Sequence, residues 1–149
     1  MSERFIRPTG ADAVFNGVVG FLTRIGLPLA GSRILAVRGR SSGEWRTTPV
    51  NPLRVAGRLY LVAPRGHTQW VRNIRVAGEG ELRSGRGTTA FRAIEVPDAD
   101  KPPILRAYLK AWAWEVGRFF EGVDASSSDA RLAEIAPGFP IFRIERLEK

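Results

Sequence analysis

Two prolines lie inside a run that otherwise has the composition of a β-strand, residues 45–55, WRTTPVNPLRV. Proline has no backbone N–H, so neither Pro49 nor Pro52 can donate a hydrogen bond to a neighbouring strand. The run is therefore predicted to be an edge strand or to contain a bulge. Whatever sheet the chain forms must give this segment an edge position or interrupt its pairing at the prolines.

Five other runs, either apolar or alternating between apolar and polar residues, lie between glycine- or proline-rich turns, which is typical of strands. They cover residues 32–40, 58–63, 80–84, 88–98 and 139–147. Together with residues 45–55 they predict six strands.

Helical spacing of apolar residues occurs in four segments, one before the first strand, one after the third strand and two before the last strand. Asp12 can cap a helix over residues 13–25, and Thr68 can cap a short one over residues 69–78. Asp98 and Pro102 open the longest helix, and Ser128 with Asp129 begins a last short one, which ends at Pro137 and Gly138. Strands in adjacent runs with helices between them indicate an α+β fold around an antiparallel sheet. Six such strands can curl into a small barrel, which removes exposed edges.

A length of 149 residues suits one domain. We expect a helical N-terminal segment, residues 1–31, followed by the barrel, residues 32–149. The N-terminus lacks a secretory signal pattern, and no apolar run reaches the length of a transmembrane span. A cytoplasmic location is expected. The apolar face of the 13–25 helix leaves a weak peripheral membrane contact as an alternative to core packing.

The side chains leave little room for catalysis by the protein's own groups. The chain has no cysteine and one histidine, His67, so no metal site is expected. A Ser-His-Asp triad would need His67 as its base, yet no Gly-x-Ser-x-Gly elbow is present. Glycine-rich dinucleotide and Walker loops are absent too. An enzyme of this composition would depend on a cofactor for its chemistry.

The net charge of +8 favours an anionic ligand. Arg40, Arg46 and Arg65 each lie in or beside a loop rich in Gly, Ser, Thr or Pro. Guanidinium groups pair with phosphate or carboxylate oxygens, and hydroxyl and backbone N–H groups complete such a shell. If the first strands form a meander, the loops at residues 39–46 and 63–67 converge. A phosphate-bearing ligand could bind there, although basic loops are also often merely solvated.

Three segments, GRSSGEWRTTPV, LYLVAPRGH and WVRNIR, resemble the deazaflavin-dependent nitroreductase family of split β-barrel flavin and deazaflavin oxidoreductases. The resemblance rests on Gly39, Arg40, Ser42, Gly43, Arg46 and Pro49, on residues 63–66, and on Trp70 with Asn73. It implies an antiparallel split β-barrel that binds coenzyme F-420, an 8-hydroxy-5-deazaflavin with a phosphate and a polyglutamate tail.

The same resemblance implies roles for individual residues. Arg46 and Arg65 would bind the phosphate and the tail carboxylates, and Asn73 would bond within the pocket or hold its wall. Arg72 and Arg75 would replace a charge that the family has where this chain has Ser41. The full set of expected cofactor contacts is Arg40, Ser41, Arg46, Thr47, Thr48, Pro49, Ala63, Pro64, Arg65, Gly66, His67, Trp70 and Asn73.

The implied reaction is hydride transfer from the reduced deazaflavin to a quinone, an activated alkene such as an enone, or a nitro compound. Tyr108 and Trp112 are candidates for the substrate side of the ring, with plain core packing as the alternative. Binding of FMN or haem in the same fold, or cofactor binding without turnover, stays open. A basic nucleic-acid-binding barrel is disfavoured, because the aromatic residues lie mainly on helices or at apolar positions. Both a monomer and a homodimer remain open.

Overall fold

The strands form one antiparallel sheet, in a computed structural model that describes residues 33–85, 87–116, 119–120 and 122–147. The helix expected over residues 13–25, and with it the whole 1–31 segment, lies outside the described residues. Seven strands are present in the described part: β1 (Arg33–Arg38), β2 (Trp45–Val50), β3 (Leu53–Val55), β4 (Arg58–Val62), β5 (Glu79–Ser84), β6 (Gly87–Glu95) and β7 (Ile141–Arg146). Their order across the sheet is β2-β1-β5-β6-β7-β4-β3, which confirms the α+β class and the antiparallel sheet.

The prediction of a single strand over residues 45–55 was wrong, and the prolines explain why. Pro49 lies in β2, at one margin of the sheet, as its missing donor requires. Pro52, with Asn51, interrupts the run, and the chain resumes as β3 at the opposite margin. The sheet therefore has seven strands and not six.

The passage of the chain from β2 at one edge of the sheet to β3 at the opposite edge requires the sheet to curl. In a flat sheet of seven strands, spaced about 4.8 Å apart, the two margins would be about 29 Å apart. The two residues between Val50 and Leu53 allow a Cα–Cα separation of about 11 Å at most. Only a sheet rolled toward a barrel brings β2 and β3 that close.

Two tight hairpins connect neighbouring strands. β5 and β6 meet at the pair Ser84 and Gly87, as the sequence predicted. Between β3 and β4 the two turn residues, Ala56 and Gly57, have φ angles of 51° and 79°. Two consecutive residues at positive φ characterise the type I′ turn, whose twist matches that of the strands.

Three helices lie in the described part of the chain: α1 (Gln69–Ala77), α2 (Lys101–Val116) and α3 (Asp129–Ile135). Short 3-10 turns, Asp98–Asp100 and Ala136–Gly138, precede α2 and follow α3. Ser128 caps α3, since its hydroxyl accepts a hydrogen bond from the Arg131 N–H at 3.1 Å. None of the described helices is both long and apolar enough to cross a membrane.

The buried apolar residues form two clusters on opposite faces of the sheet. The α1 cluster lies on the face that α1 covers and contains Leu35, Val37, Leu61, Ala63, Val71, Ile74, Leu82, Phe91, Phe142 and Ile144. The α2 cluster, on the other face, contains Leu53, Tyr60, Val62, Val96, Ile104, Leu105, Tyr108, Leu109, Trp112, Phe120, Val123, Leu132, Ala136, Phe139 and Ile141. Successive residues of β4 belong in turn to one cluster and then to the other, so this strand is buried on both faces of the sheet.

Candidate active site

The candidate site is the gap between the free edge of β2 and the end of β4. β4 pairs with β3 only as far as Tyr60, which lies opposite Leu53, while Leu61 and Val62 pair with β7 on the other side. β2 runs into β3 through two residues, and from this short connection we infer that the edge of β2 away from β1 faces this end of β4. Residues 63–68, here called the 63–68 loop, continue from β4 into α1. The gap therefore has β2 on one side and the 63–68 loop on the other.

Residues of β2 alternate between the two faces of the sheet. Arg46 and Thr48 lie opposite Val37 and Leu35 in β1, so they share the face that α1 covers. The other expected contacts on this strand, Thr47 and Pro49, fall on the opposite face. Of the four expected contacts on β2, Arg46 and Thr48 therefore lie on the α1 face of the sheet, and the other two do not.

Arg40 lies in the turn between β1 and β2, where its guanidinium group is bound to α1. Its Nη1 donates to Asn73 Oδ1 at 2.8 Å and its Nη2 donates to Gln69 Oε1 at 2.9 Å. The backbone N–H of Arg40 donates to the same Asn73 oxygen at 3.1 Å. Asn73 is only 5% exposed. Two expected cofactor contacts therefore bind each other, and they hold the turn, with exposed Ser41, against the helix.

The 63–68 loop is shaped by its own backbone. The Ala63 N–H donates to the Pro140 carbonyl at 2.9 Å, and the Gly66 N–H donates to the Ala63 carbonyl at 3.1 Å. Gly66 has a φ of 88°, which a side chain would disfavour. The turn carries half-buried Pro64 and Arg65. The Arg65 guanidinium carbon lies 4.7 Å from the centre of the Phe119 ring, a cation–π contact that aims this cation toward the end of α2.

Thr68 is a further candidate for the site, at a position where the sequence predicted only a helix cap. It occupies the N-cap position of α1 with extended backbone angles, yet its side chain makes no capping hydrogen bond. Its Oγ1 atom is buried and has no hydrogen-bond partner among the described residues. A buried hydroxyl without a partner costs free energy, so such a group is a candidate for a ligand contact. Its position between a basic loop and a helix N-terminus is the signal that could have identified it.

The expected aromatic residues lie in different surroundings. Trp70 is half-buried, with its ring centre 5.8 Å from that of Phe142, so it packs on the α1 cluster. Tyr108 and Trp112 are 2% and 8% exposed and belong to the α2 cluster. Tyr108 contacts Phe120 at a ring separation of 6.3 Å.

These residues suit an anionic organic cofactor better than a metal ion. The margins of the gap carry guanidinium groups and a buried hydroxyl, and the first turn of α1 contains no acidic residue. A helix N-terminus without nearby carboxylates favours negative charge. Within the described ranges, no group of three or more His, Cys, Asp or Glu side chains could hold a metal.

The curled antiparallel sheet is the fold of the split-barrel proteins, and the family match identifies the class as the flavin and deazaflavin oxidoreductases. Residues 14–120 match the profile of the F420H(2)-dependent quinone reductase family, and the chain belongs to that family. No curated protein matches the sequence significantly.

Several solved structures share the fold. A protein of unknown function from Agrobacterium tumefaciens is 17% identical with a TM-score of 0.56; the match covers 97% of this chain but 59% of that one, so this chain spans about three fifths of that protein. A reductase described as dependent on reduced F-420 is 15% identical, with a TM-score of 0.54 and coverage of 77% and 94%. The haem storage protein of Vibrio cholerae is 13% identical, with a TM-score of 0.52 and coverage of 80% and 84%. At these identities the likeness concerns the fold alone.

Proposed function

We propose that this protein transfers a hydride from reduced coenzyme F-420 to an electron-poor small molecule, with a quinone as the first candidate and enones and nitro compounds as further ones. Membership of the quinone reductase family supports the reaction class. The observation that carries the assignment to this gap is the buried, unpartnered Thr68 hydroxyl beside the basic 63–68 loop.

In this proposal the anionic part of the cofactor lies between Arg46 on β2 and Arg65 on the loop, and Arg65 would exchange its contact with the Phe119 ring for the cofactor. Charge-assisted hydrogen bonds from guanidinium groups hold phosphate and carboxylate oxygens strongly, because the fork of donors matches their geometry. The Thr68 hydroxyl and the first backbone N–H groups of α1 add neutral donors. Thr48 lies on the same face as Arg46 and completes the β2 side of the gap.

The bound deazaflavin would supply the hydride itself. The residues of the chain would fix the ring, neutralise the cofactor's charge and keep one ring face accessible to the acceptor. No protein side chain is required to form a covalent bond with the acceptor. This division of labour agrees with the shortage of nucleophiles and proton-transfer groups in the sequence.

The test is a titration of the protein with reduced F-420 and, separately, with FMN, followed by fluorescence. We expect micromolar binding of F-420 and oxidation of the bound cofactor on addition of a quinone. Arg46→Ala and Arg65→Ala should each weaken binding by about 1.5–3 kcal/mol, roughly 10- to 150-fold in Kd. Arg131→Ala is the matched control, since this exposed arginine pairs with Glu134 on α3.

Three results would contradict the proposal. Tighter binding of FMN than of F-420 would change the cofactor, and binding of neither would remove the function. Unchanged affinity in both arginine variants would move the anion site elsewhere.

Haem binding is the less favoured alternative. The chain's single histidine, His67, has both ring nitrogens within hydrogen-bond distance of protein groups, Arg75 Nη1 at 3.0 Å and the Pro137 carbonyl at 3.2 Å. Histidine ligation of a haem iron needs one of these nitrogens. The haem alternative would thus require a different ligand or the loss of one of these two contacts.

A further inference from the structure

His67 is held by hydrogen bonds on three sides. Its Nδ1 lies 3.0 Å from Arg75 Nη1, and its Nε2 lies 3.2 Å from the Pro137 carbonyl oxygen. Its own backbone carbonyl accepts a hydrogen bond from Arg72 Nε at 3.0 Å. The residue is thereby tied to two side chains of α1 and to the turn after α3.

These partners define which ring nitrogen carries the hydrogen. A guanidinium group can only donate, so the Nδ1 atom that faces Arg75 must accept. A carbonyl oxygen can only accept, so Nε2 must carry the hydrogen and donate to Pro137. The neutral ring with hydrogen on Nε2 is the one form that satisfies both contacts.

Arg75 connects this ring to the sheet. Its Nε and Nη2 atoms donate to the two carboxylate oxygens of Glu95, at the end of β6, at 3.0 and 2.7 Å. The third nitrogen of the guanidinium group, Nη1, does not contact Glu95 in this arrangement and points to His67. The planar guanidinium group can make all three contacts at once, whereas the single ammonium of a lysine lacks this geometry.

The turn that receives His67 is itself anchored. Ala136, the residue before Pro137, accepts a hydrogen bond from the buried ammonium of Lys101 at 3.0 Å. Lys101 is 3% exposed and also pairs with Asp98 at 2.6 Å. His67 therefore joins the 63–68 loop to a fixed point of the fold.

We propose that His67 is a positioning residue, which together with Arg75 and Glu95 holds the 63–68 loop in the conformation that binds the cofactor. This inference rests on the proposed function. It replaces the expectation that His67 touches the cofactor and that Arg75 supplies charge to it. The loop carries Arg65 and ends at Thr68, so its conformation decides whether both reach the same ligand.

The first test needs no cofactor. The protein has one histidine, so ¹⁵N NMR of the imidazole gives a single pair of nitrogen signals at neutral pH. We expect a hydrogen on Nε2 and a bare Nδ1, and Arg75→Gln should shift the ring toward a mixture of the two neutral forms. A wild-type ring with its hydrogen on Nδ1, or a freely averaging ring, would overturn the proposal.

The second test separates positioning from charge. His67→Ala and Arg75→Gln should each raise the Kd for F-420 about 10-fold, because a loop that is ordered a tenth of the time binds that much more weakly. Arg75→Lys keeps the charge but not the fork, so it should resemble Arg75→Gln. Binding restored by Arg75→Lys would mean that Arg75 acts only through its charge and would refute the inference. Arg131→Gln, which removes an equal charge on α3, should bind like the wild type.

The two proposals fail in different ways. If the wild-type protein does not bind F-420, the proposed function is wrong. If the wild type binds and His67→Ala binds equally well, the function stands and the positioning role is wrong. Thermal unfolding of each variant checks that the altered chain is still folded.

Discussion

The substitution Asn73→Ala removes the acceptor that holds the β1–β2 turn on α1. Asn73 Oδ1 accepts from the Arg40 backbone N–H at 3.1 Å and from Arg40 Nη1 at 2.8 Å. A neutral hydrogen bond contributes about 1 kcal/mol and a charge-assisted one about 1.5–3 kcal/mol. Arg40 is exposed and keeps its hydrogen bond to Gln69. Water can therefore replace part of the hydrogen bonding that Arg40 loses with Asn73. We therefore expect the free energy of unfolding to fall by about 1.5–3 kcal/mol.

Urea denaturation followed by circular dichroism measures this change directly. In a thermal scan the same loss corresponds to a fall in Tm of roughly 3–12 °C for a chain of this size. Gln69→Ala is the matched control, because it removes a single hydrogen bond at an exposed position of the same helix; its cost should stay below about 1 kcal/mol. If Asn73→Ala were no less stable than Gln69→Ala, the buried amide would not hold the turn and the reasoning would be wrong.

Three further substitutions probe the fold, each by urea denaturation. Gly80→Ala should cost about 1–3 kcal/mol, since its Cβ would lie 2.8 Å from the Ala36 carbonyl oxygen; a neutral result would mean that β1 and β5 separate easily. Ala56→Asn should stabilise by about 0.5–1 kcal/mol, because asparagine tolerates the φ of 51° better than alanine; a loss of stability would contradict the turn assignment. Lys101→Met should cost about 1–2 kcal/mol, since the stem still packs but the bond to Ala136 is lost; an unchanged midpoint would show that the buried ammonium contributes nothing.

Pro49 and Pro52 show which features of the fold can be predicted from the sequence and which cannot. A missing N–H is a local property, so the rule that Pro49 belongs at a sheet margin predicted its place in β2 correctly. The same rule could not predict that Asn51 and Pro52 carry the chain to the other margin. That step depends on which strands pair, and strand pairing is set by contacts between residues far apart in the sequence.

The sequence predicts which loops could form the candidate site, but it does not predict the contacts within them. Loops rich in Arg, Gly, Ser and Thr predict an anion site, because those residue types supply the donors. The pairing of Arg40 with Asn73, 33 residues further along, depends on how α1 docks on the sheet. In the same way, the sequence shows one histidine, but only the fold brings the Pro137 carbonyl, 70 residues away, to its ring.

The two-residue spacer at Asn51 and Pro52 has a consequence for how sequences of this fold can change in length. The spacer limits the distance between β2 and β4 at the end of the gap where β2 continues into β3. An inserted residue in the spacer would therefore widen the gap between β2 and the 63–68 loop. The opposite is true of the hairpin between β5 and β6, where extra residues would extend only a solvent-facing tip. Natural insertions should therefore accumulate at that tip, while the spacer keeps a constant length for as long as the same ligand has to fit.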